Sequence, residues 1–189
     1  MAPTASRETY FETGLAVLSS AGYGALKLSE VCRRLGVTTG SFYHFFRNWA
    51  DYTDQLLEFW FDSHTRVEVA EVLAQPDPAT RLDSLLAYGL SLPYGAEGAI
   101  RIWGAIDPKV HAVVSAVDNR RYQLVHDVVS PILGDESAHR YASWAVFLMT
   151  GYEQTTLTRD VAVLEWAAQQ LLESLRREAA IATGATRRR

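Results

Sequence analysis

Cysteine and long apolar runs are scarce in this sequence. Cys32 is the only cysteine among 189 residues, so no internal disulfide can form, and a reducing cytoplasm is the expected location. The uncharged apolar stretch at residues 141–152 is far shorter than the roughly 20 residues that a membrane-spanning helix needs. The first 14 residues contain acidic side chains and no apolar core, so we expect neither a signal peptide nor a membrane partner.

The residue patterns that mark many catalytic and metal sites are also missing. The histidines show no metal-ligand spacing, and no cysteine cluster accompanies them. Gly22 and Gly24 lack the third glycine of a dinucleotide-binding loop, and no Gly-x-Ser-x-Gly nucleophile motif occurs. We therefore expect a protein that is not an enzyme and that uses neither a metal nor a cofactor. The alternative is an all-helical enzyme acting on small molecules, which would need a convergent set of titratable groups that the sequence does not display.

Charge is distributed unevenly along the chain. The net charge is −4, which is unusual for a protein that binds nucleic acid. Residues 1–50 nevertheless carry five basic and three acidic side chains, a net charge of +2, and the remaining residues carry −6. This distribution permits DNA binding through the N-terminal segment, because phosphates would repel the acidic body.

Apolar residues recur at helical spacing along nearly the whole chain, and the alternation typical of strands is absent. The pattern predicts an all-α fold of about nine helices. They cover about 7–21, 28–35, 39–46, a long helix that follows Asn48 and is broken at 75–78, and then 78–91, 96–106, 108–133, 135–156 and 159–182. Asn48, Asp77 and Asp135 are suitable N-caps, and Gly22 suits the left-handed end of a helix.

Residues 28–46, LSEVCRRLGVTTGSFYHFF, combine two short helices with a three-residue turn. Gly36 permits the sharp change of direction, and Val37 is expected to fill the gap between the two helices. The second helix begins with small polar residues, which allow its N-terminus to approach base edges and phosphates. This arrangement is typical of the helix-turn-helix that binds DNA in the major groove.

The segment from Gly36 to Phe46, GVTTGSFYHFF, resembles the signature G-V-S-x-G-T-L-Y-H-Y-F of TetR-family transcriptional regulators, and the resemblance extends over about residues 8–60. It implies a three-helix DNA-binding domain over residues 1–48 and a helical effector-binding and dimerisation domain over residues 49–189. It further implies a ligand-responsive repressor that a small-molecule effector releases from double-stranded operator DNA. The alternative is a helical scaffold or ligand-binding protein whose DNA function has lapsed.

The resemblance also implies which side chains meet DNA. They are Lys27, Ser29, Thr38, Thr39, Gly40, Ser41, Tyr43 and His44. The first two would lie near phosphate at the start of the second helix, the next four would open the recognition helix, and the last two would contact phosphates. The sequence departs from the family pattern at Thr39 and Trp49, where the family often has a basic residue. Fewer cationic contacts predict a weaker dependence of DNA affinity on salt.

The last two predicted helices carry apolar residues at near-heptad spacing. The resulting seam consists of Trp144, Leu148, Val161, Leu164, Ala168, Leu171 and Leu175. An alternative set on the first of these helices is Tyr141, Ala145 and Tyr152. The spacing fits a dimer interface and an intramolecular core equally well. The resemblance to the TetR family favours a homodimer, in which two helices from each chain form a four-helix bundle.

Six large and partly polar side chains on the middle helices are candidates for an effector site. They are Trp60, His64, Tyr88, Trp103, Phe147 and Tyr152. A cavity lined by several of them would bind an aromatic or lipophilic molecule, although each one alone is better explained as core packing. Arg101 lies two residues before Trp103 and points to a different face of the helix, which predicts a surface position or a structural ion pair.

Overall fold

The computed structural model describes residues 5–65, 72–92 and 94–186, with side chains for all of these except 63–65 and 183–186. No strand occurs within these ranges, which confirms the all-α prediction. The helices are α1 (Arg7–Ala21), α2 (Leu28–Leu35), α3 (Thr39–Phe45), α4 (Trp49–Thr65), α5 (Pro78–Ser91), α6 (Tyr94–Gly104), α7 (Pro108–Leu133), α8 (Asp135–Gln154) and α9 (Val161–Thr186). None of the helices in the described part of the chain is both long and apolar enough to cross a membrane.

Side-chain caps explain why several helices begin where the sequence predicts. Ser6 and Thr9 form a reciprocal capping box at the start of α1, with Ser6 Oγ accepting from the Thr9 backbone N–H at 3.2 Å. Asn48 Oδ1 accepts from the Asp51 backbone N–H at 2.9 Å at the start of α4. Asp77 Oδ2 accepts from the Thr80 backbone N–H at 2.8 Å, ahead of the first residue of α5, Pro78.

The junction between α7 and α8 differs from the prediction. Gly134, with φ +80°, occupies the N-cap position, and Asp135 is the first helical residue of α8. The Asp135 carboxylate accepts from the Ser130 hydroxyl of α7, so it ties the two helices together across the junction. Pro131 lies inside α7, which ends two residues later. The helix accommodates this proline because, so close to the C-terminus, it disturbs only the last turn.

Packing contacts divide the chain into two compact units. The first contains Met1–His64 and Pro93–Ser115, and the second contains Thr65–Leu92 and Ala116–Arg189. Helices α4 and α6 therefore pack with the N-terminal helices. The division at residue 48 concerns function, and it stays a prediction.

An aromatic core holds the first unit together. Tyr10 is fully buried on α1, and the rings of Phe42 and Phe46 meet it edge-on, with centroids 5.7 and 5.5 Å away. Tyr52 of α4 donates its hydroxyl to the Tyr10 carbonyl at 2.9 Å. A side chain at Gly14 would collide with Tyr52, so glycine is required where α1 and α4 approach each other. This core fixes α3 from beneath.

In the second unit, hydrogen bonds join α8 to α9 in antiparallel directions. Ser137 and Tyr141, near the start of α8, donate to the Glu178 carboxylate on α9 at 2.6 and 3.0 Å. Arg140 adds an ion pair to Glu178 at 3.1 Å. These bonds lower the pKa of Glu178, with the Ser137 bond as the largest cause. The two helices therefore form one packed pair within a single chain.

Candidate nucleic-acid interface

The turn between α2 and α3 has the geometry that the sequence predicts. Gly36 adopts the left-handed conformation, with φ +72° and ψ +29°, which favours glycine over residues that carry a Cβ. The next backbone N–H, of Val37, donates to the Cys32 carbonyl at 3.0 Å and closes the end of α2. Thr38 then caps α3, because its hydroxyl accepts from the Ser41 backbone N–H at 3.4 Å.

The inner face of α3 is buried and its outer face is exposed. Phe42 and Phe46 are 0% and 2% exposed in the aromatic core. Tyr43, one residue further along, is 57% exposed, and His44 is also exposed. The helix is therefore held rigidly from below while its outer side chains remain accessible.

The eight residues expected to meet DNA all lie in or beside this helix-turn-helix. Lys27, Ser29, Thr38, Thr39, Gly40, Tyr43 and His44 are exposed, and Ser41 is half-buried. The Tyr10 hydroxyl donates to Ser41 Oγ at 3.2 Å, so Ser41 also supports α3 from within. The arrangement presents a narrow tip of small side chains, which fits the close approach that base reading requires. Contact with DNA by these residues stays a prediction.

The two arginines of α2 form ion pairs and hydrogen bonds within the protein. Arg33 binds Glu30 through two bonds of 2.8 and 2.7 Å, and Arg34 binds the same carboxylate at 2.7 Å. These hydrogen bonds, with Arg33 the largest cause, lower the pKa of Glu30 to about 2. Arg34 also donates to the Ala16 carbonyl and to Ser20 Oγ of α1, at 3.2 and 2.7 Å. Part of the positive charge of the N-terminal segment is thus paired within the protein, and Arg34 holds α2 to α1.

Trp49, which replaces a basic residue common in the family, packs inward. Its ring lies 4.9 Å from Tyr52 and 6.1 Å from Phe42, measured between centroids, and the side chain is half-buried. The first residue of α4 therefore extends the aromatic core. Trp49 therefore places no positive charge beside α3.

Comparison with known proteins agrees with this geometry. Residues 11–51, which span α1 to the start of α4, match the profile of the bacterial regulatory proteins of the tetR family. The similarity in sequence to the TetR family covers this N-terminal segment. The resemblance drawn from the Gly36–Phe46 segment is confirmed.

Solved structures share the TetR-type fold over most of the chain. A transcriptional regulator from Rhodococcus sp. Rha1 has a TM-score of 0.73 at 19% identity, covering 90% of this chain and 96% of its own. A regulator from Saccharomonospora viridis in complex with choline has a TM-score of 0.71 at 17% identity, covering 88% and 95%. A TetR-family regulator from Rhodococcus sp. has a TM-score of 0.68 at 14% identity, covering 92% and 98%. No curated protein sequence matches the chain significantly.

The predicted effector residues of this TetR-type chain fall in different environments. Trp60 and Trp103, in the first unit, are buried at 1% and 5% exposure, and Trp103 stacks on Tyr23 with centroids 4.9 Å apart. Tyr88 is buried in the second unit, whereas Phe147 is 72% exposed and Tyr152 is half-buried. The side chain of His64 lies outside the described residues. Phe147 is placed better for meeting another molecule's surface than for lining an enclosed site.

A charged pair is buried on α6, near these aromatic residues in the sequence. Arg101 binds Glu97 at 3.2 Å, and their side chains are 11% and 0% exposed. This confirms the ion-pair interpretation of Arg101 and excludes a surface position. Within the described ranges, no group of three or more histidine, cysteine, aspartate or glutamate residues could hold a metal ion.

The residues of the predicted dimer seam fall into three groups by exposure. Leu164 and Leu175 are 3% and 2% exposed in the single chain, so they belong to its own core. Leu148, Ala168 and Leu171 are half-buried. Trp144 and Val161 are 43% and 57% exposed, which leaves them available to a partner. For the two buried leucines, the intramolecular alternative holds.

Exposed apolar side chains on α8 and α9 extend beyond the predicted seam. We define the aromatic patch as Trp144, Phe147, Val163 and Trp166, which are 43%, 72%, 58% and 62% exposed. Because the helices are antiparallel, the C-terminal half of α8 lies beside the N-terminal half of α9, where these residues occur. Val163 and Trp166 escape the heptad pattern because they sit on the opposite side of α9 from its buried leucines, Leu164 and Leu175.

Proposed function

We propose that the chain is a cytoplasmic, ligand-responsive transcriptional repressor without enzymatic activity. In this proposal, the exposed tip of α3 reads operator DNA, and a small-molecule effector weakens that contact. The observation that carries the proposal is the combination at α3 of a buried aromatic base with exposed Thr39, Gly40, Tyr43 and His44. A rigid helix with small residues at its tip meets the geometric requirement of major-groove recognition.

The proposed repressor acts as a homodimer. The aromatic patch supports this proposal, because large exposed apolar residues on neighbouring helix segments mark sites of association. Tryptophan and phenylalanine are also the residue types that contribute most at the centres of interfaces. Helices α8 and α9 of two chains would then form a four-helix bundle and present two copies of α3 to the duplex.

The proposed effector is an aromatic or lipophilic small molecule. Buried aromatic side chains are abundant in both units, with Trp60 and Trp103 in the first and Tyr88 in the second. The choline complex of the Saccharomonospora viridis regulator indicates that this fold can bind a small organic cation, which aromatic rings also recognise. Effector binding would favour a conformation in which the two α3 helices no longer match half-sites about 34–36 Å apart.

A gel-shift titration with the DNA upstream of the chain's own gene tests the DNA-binding part of the proposal. Wild-type protein should retard this fragment at low salt, and it should prefer it to an unrelated fragment of equal length. Replacing Tyr43 and His44 together by alanine should abolish binding, because both side chains are exposed beside the recognition tip. Because these two side chains are exposed, they contribute little to the stability of the fold, and the variant should melt at nearly the wild-type temperature. Equal binding of both fragments by wild-type protein would contradict the proposal.

The effector part has a separate test. Thermal melting of the purified protein with a panel of aromatic, lipophilic and quaternary ammonium compounds should identify molecules that raise the melting temperature. A compound that stabilises the protein should also release it from the retarded DNA complex. Stabilisation without release would contradict effector-controlled repression while leaving DNA binding intact.

A further inference from the structure

The side chain of Arg47 stands out among the ion-paired arginines of the N-terminal helices. It is 86% exposed, against 69% for Arg33 and 28% for Arg34. Arg47 follows α3 directly and precedes Asn48, the N-cap of α4. It lies four residues after Tyr43 in the chain, on the segment that leaves the recognition helix. This cation is therefore next to the proposed DNA surface, although the family signature does not include its position.

The guanidinium of Arg47 can leave Asp51 without depriving that carboxylate of its other bond to Arg47. The Asp51 carboxylate accepts from the Arg47 backbone N–H at 2.9 Å and from guanidinium Nη2 at 3.1 Å. The backbone bond is the largest cause of the lowered pKa of Asp51. Asp51 therefore keeps its principal partner when the side chain of Arg47 moves away. The Asp51 side chain is 13% exposed, but the guanidinium is 86% exposed and screened by water, so this ion pair contributes little stability.

The arginines of α2 differ from Arg47 in this respect. Glu30 binds Arg33 through two bonds, and it binds Arg34 through a third. Arg34 is further fixed by two bonds to α1. Moving either guanidinium to DNA would break bonds that no backbone group replaces. Of the three ion-paired arginines, Arg47 is consequently the one that can exchange partners at the lowest cost.

We propose that Arg47 leaves Asp51 on DNA binding and contacts a backbone phosphate. The contact supplies the positive charge that is missing at Trp49, whose side chain packs into the core. A guanidinium binds phosphate through parallel N–H groups, and each phosphate neutralised releases counterions from the duplex. The inference rests on the proposed DNA-binding function and adds a specific electrostatic contact to it.

Salt-dependent affinity tests this contact. The probes are a duplex that the wild-type chain selects from a random-sequence library and a scrambled duplex of equal length. Binding of wild-type protein, Arg47→Gln, Arg47→Lys and Arg33→Gln is followed by fluorescence anisotropy from about 50 to 200 mM salt. Arg33→Gln is the matched control, because it removes the same charge from the same group of helices.

Arg47→Gln should weaken binding to both duplexes by a similar factor, because a phosphate carries no base identity. The slope of log K against log salt should become shallower by about 0.9 for each protomer bound. Arg47→Lys should retain most of the wild-type slope, and Arg33→Gln should leave the slope unchanged. Urea unfolding checks each variant, and Arg47→Met, which keeps the aliphatic stem, replaces Arg47→Gln if the latter folds poorly.

Two results would overturn the inference while leaving DNA binding in place. One is an Arg47→Gln slope equal to that of wild type. The other is an equal loss of slope in Arg33→Gln, which would show a general effect of net charge. Failure of the wild-type chain to bind any duplex would instead overturn the proposed function, and the contact with it.

Discussion

At the residue scale, backbone conformation and small side-chain contacts decide the shape of the proposed recognition surface. Gly36 turns the chain at φ +72°, and Thr38 restarts it as a helix through a side-chain cap. The Tyr10–Ser41 hydrogen bond then sets α3 on the aromatic core. Each of these residues is small or buried, so no large side chain projects from the turn between α2 and α3.

Gly36 and Gly40, which lie close together in the chain, provide a matched test of the role of Gly36 in the turn. Gly36→Ala should lower the free energy of unfolding by about 1–2 kcal/mol, because a Cβ is unfavourable in the left-handed region. Gly40→Ala should raise it by up to about 1 kcal/mol, because Gly40 lies in α3 and a Cβ there would meet only Thr38 Oγ1, at 3.6 Å. Urea unfolding followed by circular dichroism measures both. Equal effects of the two substitutions would contradict the role assigned to Gly36.

At the scale of elements, Glu30 couples α2 to α1 through Arg34, which it binds. Arg34 connects the Glu30 carboxylate on α2 to the Ala16 carbonyl and Ser20 hydroxyl on α1. The position of α2 determines where the turn and α3 lie. This ion-paired junction therefore helps to set the position of α3.

The pH dependence of stability tests the Glu30 junction. The pKa of Glu30 is about 2 in the folded chain, below its ordinary value of 4.5. Its carboxylate therefore stabilises the fold above pH 4.5, and this contribution is lost as the pH falls towards 2. Glu30→Gln should show a smaller loss of stability than wild type between about pH 5 and 2. An unchanged pH profile in urea unfolding would show that the junction contributes nothing.

Local signals made most helices predictable from the sequence. The cap at Asp77 and Pro78 and the left-handed glycine at Gly36 each act within a few residues, so their effect can be read directly. The partner that covers a helix face depends on distant residues. Periodicity thus identified the apolar positions of α9 but did not separate buried Leu164 from exposed Val161. The bonds from Arg34 to the Ala16 carbonyl and the Ser20 hydroxyl of α1 were missed for the same reason.

At the scale of the whole molecule, charge and exposed apolar surface suggest a division of roles. The basic N-terminal segment carries the proposed DNA surface, and the acidic remainder carries the aromatic patch on α8 and α9. A dimer formed through this patch would bring two recognition helices onto one duplex. DNA affinity would then depend on association as well as on individual contacts.

Substitution within the aromatic patch tests the proposed dimer. Trp166→Glu places a charge at a residue that the dimer would bury, and an interface tryptophan commonly contributes ~2 kcal/mol or more. The dimer Kd should therefore rise at least ~30-fold in sedimentation velocity. Leu157→Glu is the matched control, because Leu157 is 77% exposed in the α8–α9 loop and outside the patch. Equal dissociation of both variants, or of neither, would contradict this interface.

Selection of duplexes from a random-sequence library by the purified wild-type chain tests the central claim most directly. The account predicts enrichment of a two-fold symmetric sequence whose half-sites have centres about 10–10.5 base pairs, or a multiple of this distance, apart. Recovery without any enriched sequence would contradict recognition by α3. Enrichment of a single half-site without its symmetric partner would contradict the dimer that presents two copies of that helix.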